Sequence, residues 1–427
     1  MRTLSIGLRL SLALFSMAWF DLDVSGGPWP RFRGPNGTGI SSEKDIPVRW
    51  GEKDGVVWKT KIPGVGNSSP VTWETFVFLQ SSSADGNERR LMCLDAGTGK
   101  VLWSRSVTGA KAAMHPKNSM ASSTPATDGV RVYALFWAGQ ELTLNAYDLQ
   151  GNPVWNHKLG TFTGQHGAGA SPVVYGDKVF LANDQDGSAA LVALDAKTGQ
   201  EAWQAPRRPF RACYSTPFLL EEPGRAPELI VSSTAGITSY NPQSGAQNWD
   251  YVWKFTGMAL RTIGSPLYHD GLIIANSGDG SGARDTIAIK IPTAGNPAPP
   301  SLVWQKQTRS FPYVPTMLVY GDYLFFVNDV GVASCCDAKT GKEVWTQRLG
   351  SPVSASPILI DGKIYSVNED GTVHVFEAGS TFKLLAKNSV GESVLATPAA
   401  ADNRLFIRGK THLFCISKTP DKESAQR

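Results

Sequence analysis

The chain has 427 residues, 41% of them apolar and 18% charged, against about 25% charged in an average soluble domain. That apolar share excludes a disordered chain, and a formal net charge of +4 gives no strong field to draw nucleic acid. The 13 Trp and 43 Gly residues make internal repeats the first thing to look for.

Arg2 and Arg9 precede an uncharged run at residues 10–20. It is too short to span a bilayer, which takes about 20 residues, and it fits the apolar centre of a secretory signal. Residues 1–26 are therefore expected to be a signal peptide, with Ser16/Ala18 or Ser25/Gly26 as cleavage sites. Residues 27–50 form an extension whose Trp29, Phe32 and Arg side chains suit it to covering apolar surface.

From there one unit recurs. Asp95, Asp195 and Asp337, with Asn241 in the same role, each open an acid-x-x-x-Gly turn, and Asp148 to Gly151 forms the same turn one residue shorter. Each turn is followed by an indole: Trp103, Trp155, Trp203, Trp345 and Trp249. A worn copy has Glu377, Gly379 and Leu385, and Trp58 and Trp304 end similar strands without the full turn. A second marker is a small residue next to proline, at Pro70, Pro125, Pro172, Pro217, Pro266, Pro315, Pro357 and Pro398. The prolines are 41–55 residues apart, the period of a β-propeller blade. Eight markers predict an all-β, eight-bladed propeller of four-stranded antiparallel blades over residues 51–418, followed by a polar tail at 419–427. Within a unit, Pro is tolerated at the first strand residue, turns carry Gly, and the indole fills the wedge between blades. The last unit lacks its Trp strand. Residues 55–61 supply one, so an N-terminal strand is expected to close the ring and remove both sheet edges.

These copies resemble the tryptophan-docking repeats of pyrroloquinoline-quinone (PQQ) propellers, most closely at residues 194–203 and 337–345. The resemblance covers roughly residues 50–417. It implies the eight-bladed fold and includes PQQ-dependent alcohol dehydrogenases, the non-enzymatic BamB-type assembly factors, and exported propellers common in planctomycetes. Residues 29–37, 115–119 and 165–167 look like that last group.

Several candidate sites reduce to structure. Some quinoprotein dehydrogenases place an adjacent-Cys disulfide on the cofactor, and this chain has Cys335-Cys336. The slot two before the turn acid, however, holds Cys93, Ala146, Ala193, Ser239, Cys335 and Cys415, which reads as a small core position. Cys213 has no evident partner. The acidic turns at 184–187 and 368–371 lack calcium-loop spacing and read as hairpins. No Gly-x-Ser-x-Gly elbow or His-Glu-x-x-His helix is present. What is left lies ahead of the prolines, in loops expected to gather round one mouth of the channel: His115, Lys117, Asn118, Gln165, His166, Arg208, Arg211, Arg261, Arg309, Tyr313 and Glu392. Their basic groups suit an anion, a carboxylate or an acidic peptide. The alternative is a solvated rim with scattered Arg.

The reading is an exported, periplasmic or extracellular, non-catalytic scaffold. It acts as a monomer and binds a protein, peptide or small anionic ligand of the cell envelope at this rim, with no cofactor and no metal expected. The alternative is a PQQ- and calcium-dependent oxidoreductase of alcohols or sugars, and a third is a sugar-binding or sugar-cleaving propeller using Tyr313, Phe210 and Trp137.

Overall fold

The computed structural model describes residues 27–51, 54–255, 260–293 and 298–418. The expected signal peptide and polar tail lie outside them. The described residues form eight sheets built on four antiparallel strands each, and in seven of them these four follow chain order. Blade one spans residues 71–108, blade two 126–161, blade three 173–207, blade four 218–252, blade five 267–306, blade six 318–348 and blade seven 358–389. Blade eight takes its three inner strands from residues 399–416 and its outer strand, Val56–Lys61, from the other end of the chain. That strand pairs antiparallel with His412–Ile416, with Trp58 opposite Cys415. The propeller is closed as the repeat predicts.

The indole and the turn glycine are halves of one joint. Trp58 donates from Nε1 to Ala96 O of blade one at 3.0 Å. Trp103 donates to Leu149 O at 2.9 Å, Trp155 to Ala196 O at 3.0 Å and Trp203 to Pro242 O at 3.2 Å. Trp304 donates to Ala338 O at 3.1 Å and Trp345 to Gly379 O at 2.9 Å. Each bond runs from the outer strand of one blade into the next blade's turn. The turn glycine lies flat on the ring. At Gly199 φ is 71°, and an added Cβ would lie 2.5 Å from Trp155 Cδ2. Glycine is thus required twice, for its left-handed backbone and for its missing side chain. Asp195 closes the turn by accepting from Thr198 N and Thr198 Oγ1 at 2.7 and 2.8 Å.

Trp249 departs from the pattern. Blade five has no acid-x-x-x-Gly turn to receive it. Its Nε1 donates instead to Glu228 Oε2 of its own blade at 2.8 Å, within an apolar cluster that includes Phe218, Trp253 and Ile273.

A second set of joints circles the channel. Ser69, Thr124, Ser171, Thr216, Ser265, Ser356 and Thr397 each precede a marker proline. Ser69 N donates to Thr124 Oγ1 at 3.1 Å, Thr124 N to Ser171 Oγ at 3.0 Å, and Thr397 N to Ser69 Oγ at 3.1 Å. Ser265 N reaches Thr316 Oγ1, Thr316 N reaches Ser356 Oγ and Ser356 N reaches Thr397 Oγ1, at 3.0–3.1 Å. Blade six departs from the marker: Thr316 takes the hydroxyl position, Met317 occupies the slot that proline fills elsewhere, and Pro315 lies two residues ahead of that slot.

Each blade's innermost strand has a free edge whose backbone groups need partners. Residues 27–50 supply backbone partners to blades one, two and seven. Thr72 N donates to Trp29 O at 2.9 Å, Thr127 N to Pro30 O at 2.8 Å and Leu359 N to Gly39 O at 2.8 Å. Ile40–Ser41 then runs parallel to Ile358–Ile360 as a fifth strand on blade seven. Arg33 is fully buried and binds carbonyls rather than covering apolar surface: Nη2 donates to Met317 O at 2.7 Å and to Thr38 O at 2.9 Å, and Nη1 to Pro357 O at 3.1 Å. Burial lowers its pKa to about 9. Arg31 does the same for Pro217 O at 3.1 Å, and Glu43 caps Asp402 N and Asn403 N at 2.6 and 2.7 Å.

Cys335 and Cys336 are successive strand residues and point to opposite faces of blade six, into separate cores. Burial pushes both thiols up to about 12. The adjacent-Cys ring disulfide is therefore not formed, and all five cysteines are buried and free.

Gly199→Ala is expected to destabilise the protein by about 2–4 kcal/mol, from left-handed strain plus the clash with Trp155. Gly224 has φ 77° but open space around it. Gly224→Ala, which carries only the backbone strain, should cost about 1–2 kcal/mol. Urea unfolding of the two variants checks the difference.

Candidate functional site

The channel is lined by two stacked rings, the hydroxyl residues and the residues two positions ahead of them in each blade. The upper ring is Asn67, Ser122, Gly169, Tyr214, Ile263, Val314, Ser354 and Leu395. Phe32 closes the floor, leaving a cavity of about 120 Å³. The N-terminal extension holds Phe32 in place, so the channel cavity faces the rim of Ser/Thr-Pro loops. The Asp-x-x-x-Gly turns lie on the opposite face.

Three loops meet across this rim. The first is the long loop between blades one and two. Its base is fixed by Arg89, which is fully buried and donates to Gly109 O at 2.8 Å, Ala110 O at 2.5 Å and Trp137 O at 2.6 Å. Its tip carries His115, Lys117 and Asn118. Asn118 Nδ2 donates to His166 O at 2.7 Å and Ala168 O at 3.1 Å on the second loop, ahead of blade three. The His115 and His166 rings meet edge to face at 5.0 Å. Lys117 Nζ reaches the other way, to Glu369 Oε1 of blade seven at 2.6 Å. The third loop leads into blade five and carries Arg261. Arg261 Nε donates to His166 Nδ1 at 3.1 Å and Nη2 to Gln165 Oε1 at 3.0 Å.

His115, Lys117, Asn118, Gln165, His166 and Arg261 are therefore one connected group. The half-buried Arg211 acts on it through its charge on His166. Tyr313 is buried under the Arg284 guanidinium, 5.1 Å from ring centre to Cζ, and senses Arg261. Arg208 is exposed, and Arg309 is exposed beside Gly282 in a groove at blade five. Neither shows a contact with the His166–Arg261 group. Glu392 binds its own blade, accepting from His412 N at 2.8 Å and Thr411 N at 3.3 Å. Tyr214 and Glu369 were missed. Tyr214 could have been found by aligning the units on their hydroxyls, where it is the one aromatic in the upper ring.

His166 is kept neutral. Burial lowers its pKa, and the charges of Arg261, His115 and Arg211 lower it further, against a smaller opposing effect of Asp186. Only unprotonated Nδ1 can accept from Arg261. The channel cavity below this group measures about 120 Å³. Among the described residues no cluster of three or more His, Cys, Asp or Glu side chains is arranged to hold a metal ion.

A family profile described as outer membrane protein assembly factor BamB matches residues 41–146, 140–312 and 293–381. The chain belongs to the BamB family. It is similar to BamB of Shewanella oneidensis, at 25% identity over 291 residues, 57% of this chain and 69% of that protein. It is 20% identical to BamB of Moranella endobia over 260 residues, 56% of this chain and 62% of the relative's length. Among solved structures, BamB from Moraxella catarrhalis superposes with TM-score 0.60 at 14% identity, covering 86% of this chain and 98% of that one. Quinohemoprotein alcohol dehydrogenase from Comamonas testosteroni superposes with TM-score 0.64, also at 14%, covering 92% and 81%. Binders and enzymes share the fold, so the backbone does not choose between them.

The folded-state pKa of His166 is depressed, so its contribution to stability is present above the unfolded value of 6.5 and lost as pH falls through the folded value. The stability advantage of wild type over His166→Gln should hold above about pH 7 and shrink below about pH 6. His374, also buried and lowered, is common to both proteins and cancels. Urea midpoints across that range check it.

Proposed function

We propose that this BamB-family propeller is an exported, non-catalytic scaffold that binds a protein partner of the cell envelope through its Ser/Thr-Pro rim. The observation that carries the reading is the rim itself. Three loops from distant parts of the chain are locked together there by side-chain bonds, yet His115, Lys117 and Gln165 at their tips remain exposed. A pre-ordered surface binds without a large ordering cost. Its exposed groups are mainly basic and polar, which suits an acidic partner or ligand. The relatives named for outer membrane protein assembly support a partner in that process. No helix among the described residues is long and apolar enough to cross a membrane.

The test is site-specific photo-crosslinking in cells, with the crosslinker at Lys117 or Arg309 on the rim and at Lys197 or Lys339 in the turns of the opposite face. Adducts with outer-membrane assembly proteins are expected from the rim positions. Adducts from the opposite face alone, or dye reduction that depends on added PQQ and calcium, would contradict the proposal.

A further inference from the structure

Arg261 is 4% exposed, and no carboxylate among the described residues pairs with it. Its bonded partners are neutral: His166 Nδ1 on Nε and Gln165 Oε1 on Nη2. Nη1 is buried and has no acceptor at all. The hydroxyl of Tyr214 is likewise buried and unpartnered, and the Arg261 charge acts on it. Tyr214 also lines the channel cavity. Tyr214 N donates to Thr262 O at 2.9 Å, so the two orphan donors belong to adjacent segments at the channel mouth, where each unmet buried donor is costly. The carboxylates nearest this group are already committed. Asp186 accepts from Ala212 N at 2.6 Å and Asp329 from Tyr313 N and Val314 N at 2.7 and 3.0 Å; Asp279 Oδ1 accepts from Ser281 N at 2.9 Å, while its buried Oδ2 has no partner and forms no ion pair with Arg261.

We infer that Arg261 and Tyr214 form a binding site for a single carboxylate, the terminal group of a ligand or peptide that enters from the rim. This rests on the rim being the binding face. Gln165 is exposed and holds Nη2 with a neutral oxygen. When it swings outward, Nη1 and Nη2 are free as a fork that matches the two oxygens of a carboxylate. Tyr214 Oη adds a third donor, and the half-buried Arg211 adds positive charge. The channel cavity below, about 120 Å³, has a size suited to a small headgroup or chain terminus.

The test is calorimetric titration of the full chain with acetate, with N-acetyl-glycylglycine and with its C-terminal amide. The first is a free small acid and the second a peptide terminus, so the two arms separate the sources of the carboxylate. Saturable binding is expected for one or both acids, with Kd about 1 mM or tighter, and none for the amide. Arg261→Met should weaken it at least tenfold and Tyr214→Phe severalfold. Gln165→Ala should bind at least as tightly as wild type. The Arg261→Met variant, which also loses the bond to His166, should melt somewhat below wild type but remain folded at the titration temperature, and the Arg261→Lys variant, which keeps the charge but loses the fork, should bind weakly. Wild type that binds neither acid, that binds the amide as well as the acid, or that binds no better than Arg261→Met overturns the site. Rim crosslinks that persist beside such a result would leave the partner-binding proposal standing.

Discussion

The indole resting on a neighbour's glycine is the contact on which the rest of the structure depends. A four-stranded blade cannot bury both of its faces alone. The ring works only if each blade covers the next, at a fixed angle. The indole fills the wedge that opens toward the circumference, and its N–H bond to a backbone carbonyl fixes the register. The glycine allows ring and backbone to touch. Nearer the axis the hydroxyl bonds do the same where the blades converge. Angle and spacing are thus held at both radii. Only then do loops far apart in sequence, such as those carrying Lys117 and Glu369, meet over the channel.

Closing the ring brings the inner edges of all the blades together around the axis. The N-terminal extension meets some of them with backbone bonds, a short parallel strand and two buried guanidinium groups that gather carbonyls. Leaving those carbonyls bare would cost about 1–3 kcal/mol each. The same segment stops the channel with Phe32. A propeller built this way has one open mouth. The residues of that mouth can vary without disturbing the joints between blades, which are made by other side chains.

The ring was legible because its joints repeat. Trp58 through Trp345, the turn acids and the prolines each recur with the blade, and the unpaired Trp58 strand announced the closure. The exceptions were not legible. Trp249 looks like its sisters in sequence, but its partner turn is missing from the next blade, and only the fold shows that it turns back to Glu228. Pro315 looks like a marker, yet the hydroxyl ring is kept by Thr316 beside it. Spacing ahead of the prolines gathered the rim residues but could not sort them. Arg261 and Arg309 carry the same charge in comparable loops, and burial alone separates a guanidinium locked at the channel mouth from one in solvent. The role of residues 27–50 was hidden for a different reason. It depends on strand edges that exist only once the ring has closed.

The most direct measurement is a double-mutant cycle on one joint. Trp155→Ala, Gly199→Ala and the double variant would each be unfolded in urea beside wild type. If the indole and the glycine act as one dock, the glycine change costs much less once the indole is gone. A coupling of about 1–3 kcal/mol is then expected. Costs that simply add would contradict the account, because the two residues would then stabilise the ring independently.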